Sequence, residues 1–329
     1  MRSAEFWKSR EGEVDCFLCP NRCHILDRKR GRCLGRGNRG GEMTLFNYGC
    51  VVAANLDPVE KKPLYHFHPG KSILSVGTFG CNLACRFCQN CDISQQEVPG
   101  QILTPKDLAE SATKSPDNIG VAFTYNEPGI WYEFIMDCAP LLLELNKKVV
   151  LVTNGYLEEK PWENLCSVTQ AMNIDLKAFQ DDFYKKICHG SLAPILKNIE
   201  TAWRAGVHVE LTNLVVTGLN EDPADFERLV DWVAGLSPDI PLHLSRYFPK
   251  FKESAPPTDA SILENFRRIA KEKLNYVFVG NLTSSEGQNT ICPGCGSVLI
   301  ERQGYQTFAR IAGPRCSCGR AIPIMGLES

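Results

Sequence analysis

The sequence lacks several features that would place it in common classes of protein. No apolar run approaches the roughly 20 residues that a membrane-spanning helix requires. Residues 1–10 are polar and charged, so no secretion signal is predicted. The formal net charge is only −2 and no basic stripe is present, which argues against nucleic acid or anionic lipid as a partner. We therefore expect a cytoplasmic protein that neither enters a membrane nor binds nucleic acid.

Cysteine, in contrast, is abundant. The 329 residues include 16 cysteines, most of them in short C-x-x-C-like groups. In a reducing compartment such groups predict metal ligands rather than disulfide bonds. A chain of this length can bury one large core and carry small appended modules. Cysteine usage predicts three parts, namely an amino-terminal four-cysteine module with a connecting segment (1–70), a core (71–281) and a carboxyl-terminal module (282–329).

The most informative cysteines lie near the start of the core. Cys81, Cys85 and Cys88 have the spacing C-x3-C-x2-C, and an aromatic residue precedes the last of them. Three thiolates on one loop fit three irons of a cubane [4Fe-4S] cluster and leave the fourth iron without a protein ligand. An open position on a metal is where substrate or cosubstrate binds. A structural zinc knuckle and three unrelated thiols are the alternatives.

The core alternates strand-like and helix-like segments, which is the pattern of βα units. Strands are predicted at 73–79, 119–124, 149–153, 171–176, 207–216, 242–247 and 276–279, and helices at 105–114, 129–146, 158–166, 191–205, 223–234 and 261–274. The fold class is therefore α/β, a complete or partial parallel (β/α) barrel. The three-cysteine loop follows the first strand, where such barrels place their chemistry. The polar stretch 55–67 is expected to be irregular surface, although Lys61, Lys62 and His66 can line a site.

Several other strand ends carry polar side chains that can bind a cofactor. In chain order they are Asn126, Glu127, Asn154, Asp175, Lys177, His243 and Arg246. A carboxylate such as Glu127 can accept hydrogen bonds from an ammonium group, and cationic side chains can hold a carboxylate. Asp175 and Lys177 share one face of a strand and are also predicted to be catalytic. The competing interpretations are a structural ion pair between these two, a packed histidine at 243 and a simple turn at Asn154-Gly155.

The two ends of the chain hold further cysteine groups. Four cysteines within eighteen positions predict one four-thiolate site, with zinc and a second iron–sulfur cluster both open: Cys16, Cys19, Cys23 and Cys33. Two knuckles predict a zinc ribbon, with mononuclear iron or a redox-active pair as alternatives: Cys292, Cys295, Cys316 and Cys318. Four cysteines without partner spacing are expected to be small buried residues: Cys50, Cys138, Cys166 and Cys188.

The three-cysteine loop resembles that of the radical S-adenosylmethionine (SAM) superfamily, in which the amino and carboxylate groups of SAM occupy the open iron. The core resembles the pyruvate formate-lyase activating enzymes, which generate glycyl radicals in partner proteins. Their Gly-Gly-Glu motif grips the methionine amino group, and Tyr125-Asn126-Glu127 stands in its place here. Asp175-x-Lys177 resembles their pair near the cosubstrate.

Nearly the whole chain resembles the radical enzymes of the AmmeMemoRadiSam system, which are encoded beside Memo-like proteins. The resemblance rests on both terminal cysteine groups and on residues 56–64, 88–90, 124–128 and 279–281. It departs at Cys91, where that family commonly has tryptophan.

The resemblance implies that the chain cleaves SAM reductively at a [4Fe-4S] cluster and that the resulting 5′-deoxyadenosyl radical abstracts hydrogen from a substrate. A glycyl residue of a partner protein, another protein residue and a small molecule are the open choices. A low-potential reductant such as ferredoxin or flavodoxin, a Memo-like partner and anaerobic physiology are also implied. The other classes considered are an iron–sulfur electron-transfer protein, disfavoured by the three-ligand count, and a zinc-dependent nucleic-acid-processing protein, disfavoured by the charge.

Overall fold

The computed structural model describes residues 2–282 and 287–327. The strands, in chain order, are β1 Trp7–Arg10, β2 Glu13–Cys16, β3 His24–Ile25, β4 Arg36–Arg39, β5 Glu42–Leu45, β6 Cys50–Val51, β7 Ala53–Pro58, β8 Ser72–Gly77, β9 Gln101–Ile102, β10 Asn118–Phe123, β11 Lys148–Thr153, β12 Ala171–Asp175, β13 His208–Val215, β14 Leu242–Arg246, β15 Val277–Gly280, β16 Thr290–Ile291, β17 Val298–Gln303 and β18 Gln306–Ala309. The α-helices are α1 Cys91–Ser94, α2 Pro105–Ser111, α3 Tyr132–Glu144, α4 Glu159–Val168, α5 Asp181–Phe183, α6 Leu192–Arg204, α7 Pro223–Leu236 and α8 Ala260–Lys271. Short 3-10 turns occupy Val59–Lys61 and Pro128–Trp131, and a π-helical turn occupies Tyr184–Cys188.

An eight-stranded sheet with the order β15-β14-β13-β12-β11-β10-β8-β7 forms the centre of the molecule. Its strands from β8 to β15 are parallel, and β7 runs antiparallel to β8 at the edge. Helices α3, α6 and α8 pack on β11, β13 and β14. Because β15 and β8 are not neighbours, the sheet forms a partial barrel, and the predicted α/β fold class is confirmed.

The two faces of the parallel strands have different chemistry, which follows from the alternation of side chains along a strand. In β13, Val209 and Leu211 belong to the main hydrophobic cluster. Glu210 and Thr212 lie on the opposite face and are also buried. Such residues must find hydrogen-bond partners, and Thr212 Oγ1 donates to Asn173 Oδ1 at 2.9 Å. In β13 the inward face is therefore polar, whereas the face under the helices is apolar.

Local sequence signals start several of the helices. Thr104 and Asp107 form a capping box at the start of α2, and Pro105 occupies its first turn. Asp222 caps α7 by accepting from the next backbone N–H groups, and Asp259 does the same for α8. These caps explain why the predicted helix starts lie close to the observed ones.

The prediction for the stretch 55–67 was wrong in part. Residues 53–58 form β7, which pairs with β8 from Ala53 opposite Gly77 to Pro58 opposite Ser72. An edge strand needs one hydrogen-bonded neighbour only, so exposed Leu56 and a terminal proline are tolerated there. The remaining part, Val59–Lys61, is a 3-10 turn whose Val59 is fully buried.

Each end of the chain forms small antiparallel sheets against the core. Strands β1 to β3 form one sheet and β4 pairs with β5, while β16 to β18 form the carboxyl-terminal sheet. The predicted strand-like stretch 298–311 is the hairpin of β17 and β18. Its Leu299 and Ile300 pack in one hydrophobic cluster with Tyr65 and Phe278 of the core. Residues 283–286 and 328–329 of the predicted carboxyl-terminal module lie outside the described residues.

Asn198 on α6 ties this fold to the loop after β11. Its buried Nδ2 donates to the carbonyl oxygens of Gly155 and Leu157, both at 2.8 Å. Asn198→Ala removes both bonds and leaves the buried Leu157 carbonyl oxygen unsatisfied, at about 1–3 kcal/mol, whereas Gly155 O still accepts from Leu157 N–H at 3.1 Å. We expect urea unfolding to show a loss of about 2–4 kcal/mol. Lys197→Ala, an exposed position on the same helix, is the matched control and should change stability by about 0.5 kcal/mol or less. Equal losses in the two variants would contradict this assignment.

Candidate active site

The three-cysteine loop begins where β8 ends, at the carboxyl edge of the parallel strands. Gly80 precedes the first cysteine with φ +88°, and a methyl group there would lie 2.0 Å from the Cys33 carbonyl oxygen. Only glycine fits this position, for both reasons. The loop then runs beside the π-helical turn, where Ala84 N–H donates to Cys188 O at 2.9 Å and Arg86 N–H to Ile187 O at 3.1 Å. These bonds fix the middle of the loop.

Hydrogen-bond donors surround the loop sulfurs. Leu83 N–H points at Cys81 Sγ at 3.4 Å, and Asn154 Nδ2 lies 3.7 Å from the same sulfur. Cys88 Sγ lies 3.1 Å from the Ser94 hydroxyl. Burial, followed by repulsion from Glu127, raises the pKa of the Cys81 thiol well above its usual value. A thiolate here therefore needs a metal to form, and the donors around it are the kind that tune a metal–sulfur centre.

A cavity of about 640 Å³ opens beside the loop, within the usual size range of small-molecule sites. It is lined by all three loop cysteines and by most of the predicted cofactor-binding residues: Asn126, Glu127, Asn154, Asp175 and Lys177. The predicted residues on the ends of β8, β10, β11 and β12 thus meet around one space, as the strand-end rule requires.

Glu127 is the most tightly held of these residues. One oxygen of its carboxylate accepts from Gly129 N–H and Thr153 Oγ1, both at 2.7 Å, and the other accepts from Asn154 N–H at 2.7 Å. Burial nevertheless raises the pKa of this carboxyl to about 7. The residue two positions before it, Tyr125, has φ +71°, a strained conformation that is typical of functional sites. Glu127 is therefore positioned to gain from a cation in the cavity.

The two asparagines brace the loop as well as line the cavity. Asn126 accepts from Thr78 N–H at 3.2 Å and donates to Gly80 O at 2.8 Å. Asn154 donates to Asn82 Oδ1 at 2.9 Å. The glycine after Asn154 has φ +67°, so the predicted turn is present too. Both the turn and the lining position at Asn154 are observed.

Asp175 and Lys177 form an ion pair with 2.6 Å between Nζ and Oδ2. Burial lowers the pKa of the Lys177 ammonium, but Asp175 and the neighbouring Cys85 outweigh this effect and the net pKa is well above the usual value. Lys177 therefore carries its charge at the cavity wall. The pair is both a structural contact and part of the cavity lining, so the two interpretations of it are not exclusive.

His243 lies elsewhere. Its Nε2 is 2.6 Å from Glu210 Oε2, and it lines a second cavity of about 420 Å³. This cavity shares Thr212, Ser245 and two other residues with the first. Arg246 lines neither cavity and donates to Thr258 O at 2.7 Å. The structure therefore does not bring His243 to the cysteine loop, because its position on β14 is two strands beyond Asp175.

Sequence reasoning gave too little weight to the segment that follows β7. Buried Asp57 accepts from Lys61 and Lys62, at 3.1 and 2.8 Å, and from the Tyr125 hydroxyl at 2.9 Å. All four side chains line the first cavity, and Tyr305 of the carboxyl-terminal hairpin lies at its rim over Lys61. His66 is instead fully buried away from the cavity, and burial lowers its pKa to about 3. The sequence signal for this set was the run of charged residues at 60–62 directly after Asp57-Pro58.

Cys188 is buried as predicted, but it is not an isolated core thiol. Its thiol interacts with the Cys85 thiol, and this interaction lowers the pKa of Cys85. No spacing rule links residues 85 and 188, so only the fold reveals the contact. Cys91, the departure from the resembling family, starts α1 and does not line the cavity.

The two terminal cysteine groups differ in geometry. At the carboxyl end, Cys292 and Cys318 are 3.6 Å apart at sulfur and Cys295 and Cys316 are 3.5 Å apart. Within residues 2–282 and 287–327, these four form the single set of three or more possible ligand atoms that all lie within 4.8 Å of one another.

The amino-terminal thiols are grouped more loosely. Burial and the charge of Cys33 raise the pKa of Cys19, and burial and Cys16 raise that of Cys33 to about 11. The Cys19 thiol also interacts with Cys16 and Cys23. All four predicted ligands therefore meet in one place.

A parallel α/β partial barrel with three thiols on the loop after its first parallel strand defines a class of metal-dependent enzyme. The profile of the Radical SAM superfamily matches residues 75–233. The uncharacterized protein MJ0808 of Methanocaldococcus jannaschii is 39% identical over 338 residues, covering 99% of this chain and 100% of that protein. The chain belongs to the radical SAM superfamily. Membership of this superfamily implies a [4Fe-4S] cluster and SAM as cofactors.

Further similarities are more distant, to one curated enzyme over about half of the chain and to two solved structures that share the fold. The benzylsuccinate synthase activating enzyme of Thauera aromatica is 23% identical over 191 residues, which cover 56% of this chain and 58% of that enzyme. A radical SAM methyltransferase from Sphaerobacter thermophilus shares the fold with a TM-score of 0.51 at 18% identity, covering 70% of this chain and 71% of that one. SuiB of Streptococcus suis bound to S-adenosylmethionine gives a TM-score of 0.51 at 15% identity, covering 67% of this chain and 55% of that one.

In the described part of the chain, no helix combines the length and apolar character needed to cross a membrane. This finding agrees with the absence of long apolar runs in the sequence.

The contact between Cys85 and Cys188 makes a chemical prediction. Because the two thiols are neighbours, mild oxidation of metal-free protein should join them in a disulfide, provided that a small-molecule disulfide accepts the two electrons. Peptide mass spectrometry after alkylation should find the 85–188 link, and the oxidised protein should bind iron at the loop only after reduction has freed the Cys85 thiol. Cys138, buried with no cysteine beside it, should stay unlinked and serves as the internal control. Full alkylation of both Cys85 and Cys188 after oxidation would refute the contact.

Proposed function

We propose that this protein cleaves SAM reductively at a [4Fe-4S] cluster held by Cys81, Cys85 and Cys88 and then removes a hydrogen atom from a substrate. The observation that carries the proposal is the meeting of three thiols and a charged cavity at one strand edge. The three thiols fit the cluster because they lie on one partly buried loop with N–H and O–H donors around the sulfurs.

When bound, the reduced cluster and SAM together supply methionine and a 5′-deoxyadenosyl radical. The chain's own residues would bind SAM and orient it. Glu127 would accept from the ammonium of SAM, and Lys177 would attract its carboxylate while Asp175 holds the lysine in place. On the wall formed by β7 and the turn after it, Asp57 pairs with both Lys61 and Lys62 and accepts from Tyr125, so two further cations line the cavity. The buried walls exclude water from the space in which hydrogen transfer would occur.

A glycyl residue of a partner protein is the first candidate substrate. The similarity to the benzylsuccinate synthase activating enzyme supports a glycyl substrate, although the chain spans only 58% of that enzyme's length. The resemblance to the AmmeMemoRadiSam enzymes supports a Memo-like partner, and the cluster needs a low-potential reductant of the ferredoxin or flavodoxin kind.

A small polar molecule is the second candidate, favoured by the second cavity beside the first. That cavity is lined by Glu60, His243 and Ser245, which offer both hydrogen-bond donors and acceptors. The stoichiometry separates the two candidates. Activation of a partner consumes one SAM per partner chain and leaves a persistent organic radical, whereas a small substrate supports many turnovers.

For the carboxyl-terminal site we propose zinc. Tetrahedral Zn–S bonds of about 2.3 Å place the sulfurs about 3.8 Å apart. The observed sulfur separations of 3.5 and 3.6 Å support this choice. The site lies under Tyr65 and Phe278, so its metal would hold the hairpin that carries Tyr305 to the cavity rim.

Cleavage of SAM tests the proposed reaction. Reconstituted wild-type protein with dithionite should release 5′-deoxyadenosine and methionine in equal amounts under anaerobic conditions. The triple variant with Cys81, Cys85 and Cys88 changed to Ala should release neither, because the cluster has lost all its protein ligands. Cys166→Ala, a buried cysteine outside every group, should behave as wild type. Circular dichroism should show an intact fold in both variants, and cleavage by the triple variant would overturn the proposal.

The role of Glu127 is tested by affinity and by pH. Its ionised form attracts the ammonium of SAM, and its pKa of about 7 makes the carboxyl neutral in more acidic solution. Calorimetric affinity for SAM should therefore fall as the pH decreases from about 8 to 6. Glu127→Gln should weaken binding about ten- to a hundredfold, since a charge-assisted bond is worth about 1.5–3 kcal/mol, and should flatten the pH profile.

Glu158→Gln is the matched control, because that carboxylate pairs with Arg22 and does not line the cavity. It should leave the affinity and its pH profile unchanged. A Glu127→Gln variant that keeps both the wild-type affinity and the pH dependence would remove Glu127 from the binding site.

A further inference from the structure

The chain contains three groups of cysteines, and their sulfur separations divide them into two kinds. The carboxyl-terminal sulfurs all lie within 4.8 Å of one another. In the described residues, no three sulfurs of the amino-terminal group (Cys16, Cys19, Cys23 and Cys33) come that close together, and neither do those of Cys81, Cys85 and Cys88. The amino-terminal group thus resembles the loop that suits an iron–sulfur cluster, and not the zinc-like site.

The difference has a simple physical origin. A single zinc ion draws four sulfurs to about 3.8 Å from one another, since each sits about 2.3 Å from one centre. In a cubane, each thiolate binds a different iron at a different corner, so the four sulfurs must stand farther apart. A group of four thiols in which no three sulfurs lie within 4.8 Å of one another therefore matches a cubane better than a single zinc ion.

The backbone holds this wide arrangement in place. Cys16 ends β2, and its N–H donates to Cys23 O at 2.9 Å. A turn closes after Cys19, where Arg22 N–H donates to Cys19 O at 3.0 Å. Cys16, Cys19 and Cys33 are each at most 8% exposed, whereas Cys23 is half-buried. The site is thus closed to bulk water on most sides.

A buried cation accompanies the site. Arg36 is 1% exposed, its Nη1 lies 3.8 Å from Cys16 Sγ, and its Nη2 pairs with Glu133. Its Nε is buried without a hydrogen-bond partner in the described structure. Four thiolates carry a large negative charge, and a positive guanidinium beside them stabilises that charge and can donate to sulfur.

The amino-terminal group also touches the three-cysteine loop directly. The Cys33 carbonyl oxygen packs against Gly80, the residue before Cys81. Asn21 Nδ2 donates to Asn82 O at 2.6 Å, and Arg32 donates to His189 O at 2.9 Å beside Cys188. The two sites are therefore joined by direct contacts between residues in and beside their cysteine loops.

We propose that Cys16, Cys19, Cys23 and Cys33 hold a second [4Fe-4S] cluster, which passes electrons from an external low-potential protein reductant to the loop cluster. With four protein ligands this cluster has no open iron, so its chemistry is one-electron transfer. Each electron that it accepts from the reductant reduces the loop cluster by one electron. The metal assignment stands alone, whereas the relay rests on the function proposed above.

Metal analysis tests the assignment of a second cluster to the amino-terminal cysteines. In the variant with Cys81, Cys85 and Cys88 changed to Ala, reconstituted full-length protein should hold about four irons and four sulfides per chain and keep a cubane spectrum. Wild type should hold about eight irons and one zinc. Cys166→Ala is the matched control and should give the wild-type values. A triple variant with no iron and two zinc ions would overturn the assignment. If the triple variant fails to fold, a wild-type content of about four irons and two zinc ions would overturn it equally.

Reduction kinetics test the proposed electron relay. Removing two ligands, as in Cys19→Ala with Cys23→Ala, should slow reduction of the loop cluster by flavodoxin hydroquinone at least tenfold. Dithionite, which is small enough to reach the loop cluster directly, should reduce it at the wild-type rate. An unchanged rate with flavodoxin would overturn the relay. Because iron content and reduction are measured without SAM, failure of SAM cleavage would not be confused with failure of this proposal.

Discussion

The loop of residues 80–88 contains no helix or strand, so most of the interactions that hold its thiols in place come from other parts of the chain. Asn126 holds its first residue, Asn154 reaches Cys81 and Asn82, and the π-helical turn ending at Cys188 pairs with its middle. A cluster bound by three cysteines tolerates little displacement, because a fourth protein ligand is not there to hold it. The strands of the partial barrel matter here mainly as supports that bring these bracing residues to one edge.

The carboxyl edge of the parallel strands must also hold charged side chains that are shielded from water. Buried charges are stable only when they are paired and hydrogen-bonded. Most buried charges of the chain are paired in this way. Lys62 pairs with Asp57, Lys177 with Asp175, and two histidines with Glu210. Glu127 is the exception, because its three hydrogen-bond donors are neutral and, among the described residues, no cation lies against it. An uncompensated buried carboxylate at a cavity wall is the feature expected of a site that waits for a cationic ligand.

Sequence alone could predict the parts that depend on local pattern. Apolar runs indicated the parallel strands, and the helical stretches between them begin close to the observed helix starts. Because strand ends meet at one edge, Glu127, Asn154 and Lys177 could be grouped from their positions along the chain. The edge strand β7 was missed because one hydrogen-bonded neighbour suffices for it and its composition stays polar. The contact of Cys188 with Cys85 and the position of His243 depend on tertiary packing, which no spacing rule encodes. The choice between zinc and a cluster at Cys16 to Cys33 likewise needed sulfur separations.

The central claim is that the loop cluster has one iron open to SAM and that the wall with Glu127 and Lys177 orients SAM on it. Electron–nuclear double resonance on the reduced protein with SAM labelled by ¹⁵N at the amino group and ¹⁷O at the carboxylate tests this most directly. The account predicts that both labels couple to the cluster spin in the wild type, and that the coupling is lost in the triple variant of Cys81, Cys85 and Cys88. Absence of coupling from both labels in a wild-type protein that holds a reduced loop cluster and bound SAM would contradict it.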